Sequence, residues 1–199
     1  IFRDEGQGEL DQQLGFRLAN VRLTGADGNL VAAIPDLQFR LSVPALLVGR
    51  LAPTYVDFYG VQASIVRRPG TGVSLGLASA GAAPAAPTEG DASALLAPMF
   101  EALATGNTTN SVLGYLRHVG MRNATLRFID EVNGITFEAP DANLAMYRGA
   151  GGGVAGSLIA DIRIGDTMSH VELNGTLPRG GTSLEVGMRA MNVVPAALA

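Results

Sequence analysis

The sequence predicts a mainly β protein: an extended, curved antiparallel sheet, groove-like in the manner of a taco, with one or two short helices. Three observations predict it. Apolar and polar residues alternate over many short stretches. Gly, Pro, Asn and Asp punctuate those stretches at hairpin spacing. And one unit of strand, tight turn and broken strand occurs twice. Asn20-Val21-Arg22-Leu23 leads through Asp27-Gly28 to Pro35-Asp36-Leu37-Gln38-Phe39-Arg40-Leu41. Asn123-Ala124-Thr125-Leu126 leads through Asn133-Gly134 to Pro140-Asp141-Ala142-Asn143-Leu144-Ala145-Met146. The second is a degenerate partner of the first.

The elements follow in order. Leu14, Phe16 and Leu18 alternate with Gly15, Arg17 and Ala19. The phase slips by one before Val21 and Leu23, which predicts a bulge or bend there. Val31 and Ala33, then Leu37, Phe39 and Leu41, continue a strand in which Pro35 marks an edge or a break. Ser42 is a candidate N-cap for a short helical turn over 45–48, and Gly49 its stop. Val56 and Phe58 precede Val61, Ala63 and Ile65, with a second phase slip at Gly60. After a turn at 67–72 come Val73, Leu75 and Leu77.

Residues 78–93 read as an Ala/Pro-rich linker. Leu95, Leu96, Met99, Phe100 and Leu103 then recur at helical spacing, with Asp91 or Ser93 as cap and Pro98 inside the pattern. A second short helix is expected over 111–118. Strands resume with Leu126 and Phe128, Ile135 and Phe137, Ala142 to Met146, Leu158 to Ile164, Val171 and Leu173, and Leu184 to Met188. Hairpin turns are expected at 166–169 and 179–182. The expected organisation is a first β unit at 14–77, the linker at 78–93, a helical segment at 94–118, and a second β unit at 119–199 continuing the same sheet.

Composition narrows the function. Hydrophobic residues make up 47% of the 199 and charged residues only 16%, against about 25% charged in an ordinary soluble domain. No run of 18 apolar residues occurs, so the apolar content lies in short strands and not in a membrane-spanning helix. Net charge is −4. The 14 basic residues are all arginine and adjoin only at Arg67-Arg68, so no concentrated footprint for nucleic acid exists. The absence of cysteine removes disulfides, thiol nucleophiles and thiolate metal sites. The chain opens at Ile1 without Met. It is expected to be a piece of a longer protein, with any leader or anchor before Ile1.

Catalytic patterns fail on their context. Gly151-Gly152-Gly153-Val154-Ala155-Gly156 spells the dinucleotide fingerprint, but 157–164 alternates as a strand where that loop must open a helix. His118 and His170 have Asp130, Asp161 and Asp166 as possible partners, yet no serine sits in a nucleophile elbow. Asp57 and Asp130-Glu131 are candidate carboxylates, the latter beside a turn where acidic residues bond locally. No paired spacing supplies a zinc site. Enzymatic activity, cofactors and metals are therefore not expected.

The strand run 14–77 resembles the N-terminal region of AsmA-like proteins, most closely the YhdP branch. The likeness is carried by Leu18-Ala19-Asn20-Val21-Arg22-Leu23, by Asp27 to Pro35, by the stretch Leu41-Ser42-Val43-Pro44-Ala45-Leu46-Leu47-Val48-Gly49-Arg50-Leu51-Ala52-Pro53, and by Gly60-Val61-Gln62-Ala63-Ser64-Ile65-Val66-Arg67-Arg68. It is looser over 110–148 and weak over 149–199, and the linker at 78–93 departs from the family pattern. The resemblance implies an inner-membrane-anchored protein of the Gram-negative periplasm, similar to bridge-like lipid transfer proteins. Its apolar β-groove would carry phospholipid or another acyl-chain lipid toward the outer membrane, with the remainder of the same chain and envelope proteins as partners. TamB-like relatives imply an alternative, an assembly scaffold that recruits proteins by strand addition. A hydrolase or polysaccharide-acting protein is a third reading, and it would need a carboxylate pair in a polar cleft.

Strand alternation assigns the residues facing the groove: Phe16, Leu18, Leu37, Phe39, Ile65, Phe128, Phe137, Leu144, Ile162 and Val186. About ten strands at about 4.8 Å spacing make a sheet on the order of 45 Å wide. One or two short helices cannot cover that width.

Overall fold

The computed structural model describes residues 13–24, 30–70, 72–78, 91–105, 112–149, 152–164, 167–181 and 183–192. Strands β1 (Gln13–Thr24), β2 (Leu30–Ser42), β3 (Pro53–Tyr59), β4 (Gln62–Arg68) and β5 (Gly72–Ala78) come first. Helix α2 (Asp91–Thr105) and a 3-10 turn (Val112–Tyr115) separate them from β6 (His118–Asp130), β7 (Ile135–Arg148), β8 (Gly153–Ile164), β9 (Thr167–Pro178) and β10 (Glu185–Met191). Between β2 and β3 sits α1 (Val43–Leu47). The Ser42 side chain accepts a bond from the Ala45 amide at 3.4 Å, and Gly49 follows at a φ of 73°. Both ends are as expected from sequence.

All ten strands form one open, curved sheet. Its order is β1-β2-β3-β6-β7-β8-β9-β10, with β4 on β6 and β5 on β4. Pairing is antiparallel except at β6, where the expectation of a wholly antiparallel sheet needs correcting. The first part of β6 runs parallel to β3, from Tyr55↔His118 to Tyr59↔Arg122. The second runs parallel to β4, from Gln62↔Thr125 to Arg67↔Asp130. A parallel pair needs a long crossover, and the segment holding α2 provides it. The sheet therefore forks at β6, one branch continuing through β3, β2 and β1, the other through β4 and β5.

The two phase slips read from the sequence, before Val21 and at Gly60, belong to a line of such steps across the sheet. Residues facing the same side normally lie two apart. Across this line they lie three apart: Leu18 and Val21, Ile34 and Leu37, Phe58 and Val61, Met121 and Ala124, Ala139 and Ala142. The extra residues are Asn20 (φ 54°), Gly60 (φ 65°) and Asn123 (φ 51°) in left-handed conformations, and Pro35 and Pro140 in the partner strands. Asn tolerates that conformation better than other side-chain-bearing residues, and Gly takes it freely. Pro35 lies where β3 stops, so its missing N–H leaves no ladder bond unmade. Asn20 and Asn123 hold the same place in the two sequence copies, so the repeat is a repeated bend.

The bend has a direction. Ile34, Val61, Ala124 and Ala142 are 3% exposed or less. On the other side of the sheet, Asn20, Arg122, Asn123, Pro140 and Asp141 are exposed. The sheet is folded toward its apolar face.

Some local expectations are corrected. The helix expected over 111–118 contracts to the 3-10 turn: the Arg117 amide bonds Thr54 O at 2.8 Å, which draws the chain into strand geometry by His118. Leu116 is fully buried at that turning point. The hairpin expected at 166–169 is tighter, because Ile164 already pairs with Thr167. Ile34, beside Pro35, is a core residue of β2 that the sequence reading did not single out. The turns at Asp27-Gly28 and Asp166, and most of the 78–93 linker, lie outside the described residues.

Candidate functional site

The apolar face is built by register. Cross-strand partners project to the same side. One row runs Leu18↔Leu37↔Phe58↔Met121↔Leu144↔Leu158↔Leu173↔Met188 and crosses eight strands. Every member is apolar. At about 4.8 Å per strand the row is on the order of 35 Å long. The next row starts at Phe16↔Phe39↔Val56↔Val119↔Met146 and ends at Val186. Beyond the bend, Ile65↔Phe128↔Phe137 forms the opposite wall, and Ile162 packs with Ala139, Ala142 and Ala160 at its base.

All ten groove candidates therefore share one face, because the three-residue step restores the phase in each bent strand. None is fully buried. Phe16 and Leu18 are each 45% exposed and Val186 is 60% exposed, while the other seven are half-buried. Phe16 stacks on Phe39 and Phe128 on Phe137, with ring centroids 5.3 and 6.1 Å apart.

Cover is partial. Met99, Leu103 and Ala104 of α2, with Leu116, pack on Leu37, Phe39, Val56, Phe58, Val119, Met146 and Val154. Leu37 and Phe39 thus lie against helix-covered core and not in open groove. Beside the helix, where α2 ends its cover, Phe100 overhangs an apolar cleft of about 230 Å³. Met146, Val154, Leu158, Leu173 and Val186 line its other sides. Small residues at Gly156 and Gly175 deepen it.

The opposite face is polar and holds the most buried charge. Asp57 is fully buried. Its Oδ2 accepts from the Tyr55 hydroxyl at 2.6 Å and from Arg122 Nε at 3.4 Å, and its Oδ1 lies 2.9 Å from His118 Nε2. The Tyr55 and His118 rings stack at 4.1 Å, and Arg40 caps the other side of Tyr55 at 4.7 Å. Gly120 makes the room, since a Cβ there would stand 2.1 Å from Asp57 Oδ1. Burial, the bond to Asp57 and its charge push the Tyr55 hydroxyl up to about 12. Burial works to raise the Asp57 carboxyl, but the bonds from His118 and Tyr55 and the nearby charges outweigh it, holding it below the ordinary range. Every polar atom of that carboxylate has a partner, so the cluster ties β3 to β6 as a structural knot.

The other carboxylates also have local roles. His170 Nδ1 sits 2.7 Å from Asp161 and its Nε2 3.5 Å from Glu172. The bond to Asp161 raises the His170 imidazole above its ordinary value. Asp130 accepts from the Val132 and Asn133 amides and from Arg67, closing the turn after β6. His118 is paired with Asp57, a partner 61 residues away that sequence spacing did not disclose. The parallel register of β3 and β6, Tyr55↔His118 and Asp57↔Gly120, brings them together. Gly153 and Gly156 lie within β8, paired to β7 and β9, which is a hairpin and not a phosphate loop. Among the described residues no cluster of His, Asp and Glu is placed to hold a metal ion. Among them, too, no helix is long and apolar enough to cross a membrane.

No family model, no curated protein and no solved structure matches the chain.

Proposed function

We propose that this chain is a segment of a periplasmic lipid-transport bridge, anchored in the inner membrane by the longer protein, which holds acyl chains against its apolar sheet face. The observation that carries the reading is the apolar row across eight strands, of which only Leu37 and Phe58 belong to the core that α2 closes. A water-filled apolar trough costs free energy in proportion to its area, and an aliphatic chain lying in it removes that cost. The resemblance of 14–77 to AsmA-like proteins points the same way. No protein cofactor enters the mechanism: the site works by shape and the exclusion of water.

The test is alternation. Photoreactive residues at Phe137 and Val186 are expected to capture phospholipid in cells, and the same residues at Glu138 and Glu185 are not. Equal capture at both parities, or capture at neither, would remove the groove.

One observation favours a second reading, an assembly module that recruits protein by strand addition. All seven residues of β10 are exposed, and among the described residues it ends the sheet order with β9 as its one neighbour. Such an edge is a template for a further strand. That reading requires protein adducts along β10 and none with lipid on the apolar face.

A further inference from the structure

The position of α2 bears on how a lipid chain gets past it. The helix contacts β5 on one branch of the forked sheet, β2 on the other, and β7 and β8 on the undivided part beyond β6. It therefore spans the trough instead of lying along its rim. Its Met99, Leu103 and Ala104 pack with Leu37 and Phe58 of one apolar row and with Phe39, Val56, Val119 and Met146 of the next, the space an aliphatic chain would otherwise take. Its hold on the sheet includes one polar latch. Arg148, at the end of β7, donates from Nη2 to Ala102 O at 2.7 Å and to Gly114 O at 3.3 Å, and from Nε to Leu103 O at 3.3 Å. Those carbonyls belong to the last turns of α2 and to the 3-10 turn, where a helix leaves carbonyls unpaired and carries partial negative charge. The cleft beside Phe100, at about 230 Å³, is smaller than the roughly 300–1,000 Å³ of typical small-molecule pockets. Its lining is almost wholly apolar, so it suits a stretch of an aliphatic chain.

Building on the lipid-bridge reading, we infer that α2 is a resident plug in the groove, that a single acyl chain first docks in the cleft beside Phe100, and that passage beyond it requires α2 to leave its Arg148 latch. The open flank at β8–β10 then loads without any rearrangement, while the central rows load only when the helix is out.

Two measurements on the whole chain test this. In the first, oleate is added to the wild-type protein and backbone hydrogen exchange is followed. Once oleate exceeds the one chain that the open cleft takes, exchange at amides 99–105 is expected to accelerate about ten-fold, the scale of losing one set of charge-assisted hydrogen bonds, while β6 and β7 amides hold steady. Unchanged or slowed exchange at 99–105 with two or more oleate molecules bound, beyond the one that the open cleft takes, overturns the plug. In the second, a photoreactive residue replaces Phe39 under α2 or Val186 on the open flank. Wild type is expected to capture lipid at Val186 and little at Phe39. Arg148→Ala should raise capture at Phe39 about ten-fold and leave Val186 unchanged. Equal capture at Phe39 and Val186 in wild type overturns the plug but leaves the groove standing. Capture at neither position in either protein overturns the lipid reading itself. Should Arg148→Ala lose its sheet signal in circular dichroism, the exchange experiment on wild type decides alone.

Discussion

Val119 and Val186 occupy the same cross-strand row, on the same face of the same sheet, yet Val119 is 2% exposed and Val186 60% exposed. The residue type and the strand geometry are shared. What differs is the cover: Leu103 and Leu116 lie over the first, and little beyond the Phe100 overhang reaches the second. Alternation along a strand thus decides which face a side chain joins, and the helical crossover decides whether it counts as core. The middle of the apolar face is a protein interior, and the flank is the same kind of surface left without cover.

The comparison can be broken by substitution, beginning with the largest effect. Leu103→Ala removes a fully buried side chain from the covered half and should cost about 2–5 kcal/mol in chemical denaturation. Val186→Ala on the open flank should stay within about 0.5 kcal/mol. Similar losses at the two would mean that the flank is packed by something the sheet itself provides.

The floor of the bend comes next. Ala124→Leu forces a larger side chain between Ile34 and Val61 and should cost about 1–3 kcal/mol. The same change at Ala190, exposed on β10, should be near neutral. Asn123→Ala puts a Cβ residue without a side-chain amide into a left-handed conformation, worth about 1 kcal/mol, whereas Asn123→Gly should be tolerated. If both are neutral by thermal melting, the left-handed step does not set the bend.

The smallest effect is spectroscopic and concerns the polar face. The difference spectrum between wild type and Tyr55→Phe should show the Tyr55 phenolate only near pH 12, against about 10 for a free tyrosine. The sign follows by linkage. The folded value is the higher one, so its contribution to stability is complete below about pH 10 and falls away as pH rises toward about 12. A phenolate appearing near 10 would mean that Tyr55 is not held in the Asp57 cluster.

Much of this architecture was legible in the sequence, for a physical reason. Period-2 alternation reports the face directly, so Phe16, Leu37, Phe39 and Leu144 could be assigned to one side from spacing alone. The slips at Gly60 and before Val21 could be read as bends, because a one-residue insertion reverses the alternation. Their alignment into a line across β1, β2, the β3–β4 junction, β6 and β7 could not be read, since it depends on register between strands far apart in sequence. The same limit hid Asp57 from His118, and the parallel seating of β6 against β3 and β4. Cover was the hardest property to read. Helical spacing announced α2, but nothing in its pattern says that it lies across the groove, so Leu37 and Phe39 looked as open as Val186.

Native mass spectrometry of the purified chain tests the central claim most directly. The protein should carry lipid-sized adducts that release fatty-acyl species on activation, and Leu173→Asp, which places a charge in the middle of the open row, should strip them while leaving the folded charge-state distribution unchanged. A wild-type spectrum free of adducts after mild purification, and still free after incubation with phospholipid vesicles, would contradict the claim that this apolar face holds lipid.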